Sequence, residues 1–145
     1  MSIWRSPQTI ENLNGNRQGT LIGTLGILFT EIGADFVRGT MPVDTRTMQP
    51  YGLLHGGASV ALAESLGSMG AAMCVDPAEY QVVGQEINAN HVRAARSGLV
   101  TGTARAVHVG GRTHVWTIDI VNDAQKLVCI SRITMAVIKR GSLTP

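Results

Sequence analysis

The twenty residues from Gly56 to Val75 contain a single charged side chain, Glu64. Large apolar residues recur there at helical spacing, which predicts one buried face of a helix: Leu62, Leu66, Met69 and Met73. Small residues on the other sides would let a helix lie close against a sheet that wraps around it: Ala58, Ala61, Gly67, Ser68, Ala71 and Ala72. Because a carboxylate at the centre of a bilayer is costly, we expect no membrane span here. The segment predicts a long buried helix over residues 57–74.

Before this helix the sequence predicts short helices and strands. Ser6-Pro7 is typical of a helix start, and this first helix is expected to end near Gly15. The further elements, in chain order, are a short helix over residues 20–25, two strands within residues 27–42 joined around residues 33–35, and a turn-rich loop over residues 44–54.

After the long helix the chain is rich in β-forming residues and is divided by turn signals. The predicted strands cover residues 81–91, 98–109, 112–122 and 126–139. Gly110-Gly111 predicts the tightest hairpin. We therefore expect an α+β fold, a long central helix against an antiparallel sheet of five or six strands. Residues 1–140 form a single domain in this interpretation, and residues 141–145 form a short flexible tail.

The composition restricts the classes of function that the chain can have. Only 15% of the 145 residues are charged, which is typical of a chain that associates with a second subunit. A net charge of +2 without a basic run, and 4% aromatic residues, argue against nucleic-acid binding. Cys74 and Cys129 fit neither a disulfide scaffold nor a metal knuckle. The first residues hold no hydrophobic signal core, so we expect a cytoplasmic protein.

Glu64 has no cationic partner within the helix, since the residues three and four positions away are Val60, Ala61, Gly67 and Ser68. If the helix is buried, this carboxylate carries a desolvation cost of several kcal/mol. Proteins use such groups as general bases or nucleophiles. Two alternatives stay open on the residues alone: an exposed helix edge, or a salt bridge to Arg93, Arg105 or Arg132.

The residues before Glu64 favour a catalytic role for this carboxylate. His55-Gly56-Gly57 lies at the helix N-terminus, where free N–H groups stabilise a developing oxyanion, and Gln49 precedes it by six residues. From Gly56 to Glu64 is eight residues, or about 12 Å along a helix. That distance is long for one site within one chain. It becomes suitable when two antiparallel copies bring Glu64 of one beside Gly56 of the other.

Three blocks carry a family resemblance: Met41-Pro42-Val43-Asp44, Gln49-Pro50-Tyr51-Gly52-Leu53-Leu54-His55-Gly56-Gly57-Ala58-Ser59 and Ala63-Glu64-Ser65-Leu66-Gly67-Ser68. They resemble the bacterial hotdog thioesterases, and within these the group that contains 1,4-dihydroxy-2-naphthoyl-CoA and enterobactin proofreading thioesterases. Residues 84, 86–93 and 108–112 extend the likeness, which covers residues 4–138. It implies the hotdog fold and a homodimer or homotetramer.

The resemblance also implies site roles. Glu64 is the nucleophile or general base, Gln49 and the Gly56 N–H polarise the thioester carbonyl, His55 orients the reacting groups, and Ser68 positions the carboxylate or a water. The implied coenzyme A contacts are Gly84, His91, Val92, Arg93, His108, Val109, Gly110, Gly111, Arg112 and Thr113. On the residues alone, His91 could equally be a core histidine, and Arg112 a solvated hairpin residue.

The implied activity is hydrolysis of acyl-CoA thioesters, with coenzyme A as part of the substrate and neither metal nor cofactor. The resemblance favours hydroxynaphthoyl or hydroxybenzoyl groups, as in menaquinone synthesis, with carrier-protein thioesters as an alternative. We expect Met69, Met73 and the loop near Tyr51 to line the acyl pocket. A hotdog hydratase or dehydratase and a non-enzymatic acyl-CoA sensor are the rival functions. No Gly-x-Ser-x-Gly motif, phosphate loop or zinc pattern is present.

Overall fold

The computed structural model describes residues 1–142, and the chain alternates short elements with one long helix and four long strands. In chain order these are α1 (Ile10–Gly15), α2 (Leu21–Thr24), β1 (Leu28–Ile32), β2 (Phe36–Pro42), β3 (Met48–Gln49), β4 (Leu53–Leu54), α3 (Gly56–Met73), β5 (Tyr80–His91), β6 (Leu99–Val109), β7 (Thr113–Asn122) and β8 (Leu127–Lys139). No helix in this part of the chain is long and apolar enough to cross a membrane.

Six strands form one antiparallel sheet in the order β1-β2-β6-β7-β8-β5. The long strand β5 lies at one edge, paired with β8 from Tyr80 opposite Lys139 to His91 opposite Cys129. A bulge at residues 84–86 interrupts that ladder. Helix α3 contacts five strands of the sheet. The predicted α+β hotdog architecture is confirmed.

Glycines allow α3 to lie very close to the sheet. A Cβ atom on Gly67 would lie 2.7 Å from Cγ2 of Ile133, and one on Gly70 would lie 2.7 Å from the ring of Trp116. Trp116 is fully buried and stacks on Trp4 with ring centroids 6.1 Å apart. The small residues of this helix are therefore required by its distance from the strands.

The apolar stripe predicted for α3 is buried, with one exception. Leu62 and Leu66 are fully buried and Met73 is 1% exposed, whereas Met69 is only half-buried. Met69 packs against the edge of the core and also lines a groove beside Glu64.

Several local predictions were wrong. Helix α1 begins after Thr9, whose hydroxyl accepts from the Asn12 N–H, and not after Ser6. The loop over residues 44–54 contains the two-stranded ribbon of β3 and β4. The flexible tail over residues 141–145 stays a prediction; it follows Arg140, whose N–H donates to the Glu79 carbonyl. Residues 143–145 of that tail lie outside the described residues.

Candidate functional site

His55 caps α3 with its side chain. The Gly57 N–H donates to Nδ1 of His55 over 2.8 Å. In a neutral imidazole that accepts at Nδ1, the hydrogen is carried by Nε2, so His55 presents a donor away from the helix. The Gly56 N–H has no acceptor within residues 1–142. The first turn of α3 therefore offers a free backbone donor beside an oriented imidazole.

A cavity of about 340 Å³ opens at this helix end, and five of the predicted site residues line it: Gln49, Gly56, His91, Val92 and Arg93. Oε1 of Gln49 accepts from the Tyr51 N–H, which leaves its amide nitrogen free to donate. The His91 ring lies against the start of α3, since a Cβ on Gly56 would be 2.7 Å from its Nε2. The cavity thus gathers several polar side chains around one free backbone N–H.

Glu64 lies two turns further along α3 and is half-buried. Within residues 1–142 its carboxylate has no ion pair and no hydrogen bond. The salt bridges left open by the sequence are not formed: Arg105 pairs with Asp35, and Arg93 donates to the Leu127 carbonyl over 3.2 Å. Arg132 has no bond to Glu64 either. The carboxylate is available to a ligand.

Gly84 of β5 faces the Glu64 carboxylate. A Cβ added at Gly84 would collide with Oε1 of Glu64. Gly84 also lies at the bulge of β5, where the strand bends. The structure therefore places this predicted coenzyme A contact beside the carboxylate, and its missing side chain makes room for Glu64.

Around Glu64 a groove of about 390 Å³ is lined by Ile22, Ser65, Ser68, Met69, Ala72 and Val82. Its walls are mostly apolar, which suits the hydrocarbon part of a ligand. Ser68 lines this groove, and its hydroxyl donates to Sδ of Met135 over 3.7 Å. The groove shares no residue with the cavity at the start of α3. One chain thus holds two separate cavities, one at the start of α3 and one at Glu64.

The predicted hairpin contacts lie at the opposite end of β5 from His91. Val109, Gly110 and Gly111 line a cavity of about 260 Å³ together with Tyr80, at the start of that strand. The side chains of His108 and Arg112 are exposed, and Thr113 is half-buried. In a single chain, the predicted coenzyme A contacts are therefore divided between the two ends of β5.

His114 is a buried residue beneath this hairpin. It is 1% exposed, and its Nδ1 has no partner in the described part of the chain. Burial lowers the pKa of His114, and His108 nearby acts in the same direction. In the same cavity, burial raises the pKa of the Cys74 thiol to about 11. Both groups stay neutral at pH 7.

The lining residues that sequence reasoning missed include Ile22, Ser59, Val82 and Val128. Ser59 follows Gly56 by three positions, so helical spacing places it beneath the same cavity. Ile22 and Val82 approach Glu64 from α2 and β5, and no local pattern in the sequence links those segments to α3. Among residues 1–142, no three His, Cys, Asp or Glu side chains are grouped to hold a metal ion.

The chain is similar to known thioesterases both in sequence and in structure. The family model of the thioesterase superfamily matches residues 51–129. The 1,4-dihydroxy-2-naphthoyl-CoA hydrolase of Escherichia coli (strain K12) is 51% identical over 136 residues, which cover 94% of this chain and 99% of that protein. The proofreading thioesterase EntH of Cronobacter sakazakii is 45% identical over 94% of this chain and 98% of its own. A mutant thioesterase from Pseudomonas aeruginosa superposes with a TM-score of 0.93 at 51% identity, covering 95% of this chain and 99% of that structure.

Proposed function

The chain belongs to the thioesterase superfamily, and we propose that it hydrolyses aromatic acyl-CoA thioesters with Glu64 as the catalytic carboxylate. That it is a thioester hydrolase follows from its relatives. The observation that carries the proposal is the unpaired Glu64 carboxylate in a mostly apolar groove. A carboxylate without a cationic partner is free to accept a proton from a water or to attack a carbonyl carbon with an oxygen lone pair.

The complete site requires a second copy of the chain. Strand β5 is an edge strand, so its outer backbone groups are free to pair with another β5. An antiparallel pairing with its twofold axis at Asn88 puts Gly84 of one copy opposite His91 of the other, because the bulge at residues 84–86 takes up one residue of the ladder. Since Gly84 lies against Glu64 and His91 lies against Gly56, this pairing would join the groove at Glu64 of one copy to the cavity at the start of α3 of the other.

The same pairing brings together the divided coenzyme A contacts. Tyr80, next to the hairpin of one copy, comes to lie near Arg93 of the other, at the opposite end of β5. Arg93 and Arg112 then border one channel, and two guanidinium groups suit the phosphates of coenzyme A. A homodimer accounts for both sets of contacts, which a single chain holds about one strand length apart.

The chemistry follows from the groups that face the thioester. Glu64 takes a proton from a water as that water attacks the carbonyl carbon, so a C–O bond forms and the carbonyl oxygen becomes an oxyanion. The Gly56 N–H and the Gln49 amide donate to that oxygen. When the oxyanion collapses, the C–S bond breaks and the leaving thiolate takes the proton. Water and thioester thus give a carboxylic acid and free coenzyme A.

Aromatic acyl groups are proposed for two reasons. The groove at Glu64 offers apolar walls, and the Escherichia coli relative is named for a dihydroxynaphthoyl substrate. A hydroxynaphthoyl substrate would connect the reaction with menaquinone synthesis. Thioesters of a carrier protein carry the same acyl and thiol chemistry, so they belong in the substrate panel beside the coenzyme A thioesters.

Thiol release from aryl-CoA thioesters tests the function. We expect the wild-type protein to release coenzyme A and Glu64→Gln to release it at least about 10³-fold more slowly, because the base is lost. Glu79→Gln, which removes an exposed carboxylate on the α3–β5 loop, is the matched control and keeps full activity. A folded Glu64→Gln protein with wild-type turnover would contradict the proposal.

Two further readouts distinguish the rivals and the two roles of Glu64. Hydration of an enoyl-CoA without thiol release would favour a hydratase, and binding of acyl-CoA without turnover would favour a sensor. A single turnover in H₂¹⁸O separates base from nucleophile. We expect ¹⁸O in the released acid and none in the Glu64 carboxylate, whereas an acyl-enzyme anhydride that water opens at the Glu64 carbonyl carbon would leave the label in Glu64 and none in the acid.

A further inference from the structure

A further cavity lies beside the groove at Glu64 and is lined in part by residues of α1. It measures about 380 Å³, within the roughly 300–1,000 Å³ of small-molecule pockets. Its floor is apolar, formed by Leu13, Phe29 and Met73 among others. Phe29 and Met73 are buried core residues. We refer to this space as the α1 chamber.

The α1 chamber and the groove at Glu64 share a wall. Ile22, Met69 and Ala72 line both. Ala72 lies eight residues after Glu64, about 12 Å along α3. A group that starts at the carboxylate and follows this face of the helix reaches the shared wall first and the chamber after it. Ala72 has a single methyl group, so its side chain takes up little space at the shared wall.

The outer rim of the α1 chamber is polar and carries the amide side chains of Gln8, Asn12 and Asn16. Neighbouring Asn14 does not line the chamber and instead holds the fold together, because its side chain accepts from the Phe29 N–H over 3.0 Å and donates to the Phe29 carbonyl over 2.8 Å. Asn12 and Asn16 line the chamber, and their side chains have no hydrogen-bond partner within residues 1–142. These two amides are free to bind a ligand.

Arg17 is the cation that lines this rim, and its side chain already donates hydrogen bonds within the chain. Its Nε donates to the Asn14 carbonyl over 3.0 Å, and its guanidinium donates to the Ile27 carbonyl over 3.0 Å. An anionic group would have to compete with those bonds. A neutral hydroxyl or carbonyl can instead use the amides of Asn12 and Asn16, which both donate and accept.

We propose that the α1 chamber receives the far end of the acyl group and selects acyl groups that extend beyond one ring and end in a hydroxyl or carbonyl. This inference rests on the proposed thioesterase function and adds the acyl class to it. The apolar floor holds the hydrocarbon body, while Asn12 and Asn16 bind the distal oxygen. A single-ring acyl group stays in the groove at Glu64 and does not touch the chamber.

Three thioesters separate these contributions: benzoyl-CoA, 2-naphthoyl-CoA and 6-hydroxy-2-naphthoyl-CoA, compared by kcat/KM. For the wild-type protein we expect the distal hydroxyl to raise kcat/KM about fivefold over 2-naphthoyl-CoA, the effect of one ordinary hydrogen bond. The double variant Asn12→Leu/Asn16→Leu should lose this preference and hydrolyse benzoyl-CoA at the wild-type rate. Gln18→Leu changes a neighbouring exposed amide outside the chamber and should keep the preference.

Ala72→Met tests whether acyl groups reach the α1 chamber past the shared wall. It should lower kcat/KM about tenfold or more for both naphthoyl thioesters and by a clearly smaller factor for benzoyl-CoA, because the larger groups must pass residue 72 whereas a single ring only shares the groove that Ala72 lines. Thermal unfolding checks that each variant is folded, and the asparagine variants stand alone if Ala72→Met is unstable. Equal effects on all three thioesters would overturn the chamber and leave the thioesterase function standing. No turnover of any thioester by the wild-type protein would overturn both.

Discussion

Gly84 faces the Glu64 carboxylate across the gap between β5 and α3, and a methyl group placed there tests the position of that carboxylate. In Gly84→Ala the new Cβ would collide with Oε1 of Glu64. Ordinary van der Waals contact requires about 3.5 Å, so the carboxylate must retreat by about 1 Å. Oε1 is the end of a flexible side chain, and the backbone of β5 can stay in place.

The expected effect is large on catalysis and small on stability. A misplacement of about 1 Å in a catalytic group can cost about 10² in rate. We therefore expect kcat for an aryl-CoA thioester to fall about 100-fold in Gly84→Ala. Alanine at an extended position also restricts the unfolded chain, so the free energy of unfolding should change by less than about 1 kcal/mol. The measurements are steady-state thiol release and urea unfolding of the same preparation.

Gly15→Ala is the control for the substitution itself. A Cβ on Gly15 meets no atom within 4 Å, so this variant should retain both wild-type kcat and wild-type stability. The reasoning would be refuted if Gly84→Ala kept wild-type kcat, because Glu64 would then not need its observed position. It would equally be refuted if kcat and stability were lost together while Gly15→Ala was unaffected.

Three further variants test the packing, the cap and the buried histidine. Gly70→Ala, whose Cβ would lie 2.7 Å from the Trp116 ring, should lower the free energy of unfolding by about 1–3 kcal/mol in urea; an unchanged midpoint would contradict the close packing. His55→Ala removes the acceptor for the Gly57 N–H and should cost about 1 kcal/mol, or about 4 °C in Tm; an unaltered Tm would argue against a capping role. Because burial lowers the pKa of His114, the unfolded chain takes up that proton first below about pH 6.5, so stability should fall from pH 7 to pH 5. His114→Phe should flatten that fall, and an identical pH dependence would contradict it.

The sequence was sufficient for the elements whose signals are local. The single charge in α3, its apolar spacing and the turn residues between the later strands predicted the helix and β5 to β8 to within one or two residues. It was not sufficient at the first helix, where Ser6-Pro7 predicted the start. Thr9 caps α1 instead, and α1 packs against β1.

The candidate site could be predicted only in part, for a geometric reason. Glu64, Gly56 and Gln49 belong to one helix and its approach, so their relation follows from spacing. The distance between His91 and the hairpin at Gly110 depends on the pairing of β5 with β8, and no local pattern sets that register. Ile22 is brought to Glu64 by α2, whose place on α3 is likewise a tertiary feature.

Subunit mixing tests most directly whether the active site joins Glu64 of one chain to Gln49 and Gly56 of another. Glu64→Gln and Gln49→Ala proteins are each purified, mixed in equal amounts, unfolded and refolded together, and assayed against the two parents. In a shared site, each mixed dimer regains one intact site, so random pairing should restore about a quarter of the wild-type activity. A mixture no more active than the average of its two parents, with mixed dimers demonstrated by mass spectrometry, would contradict the cross-subunit site.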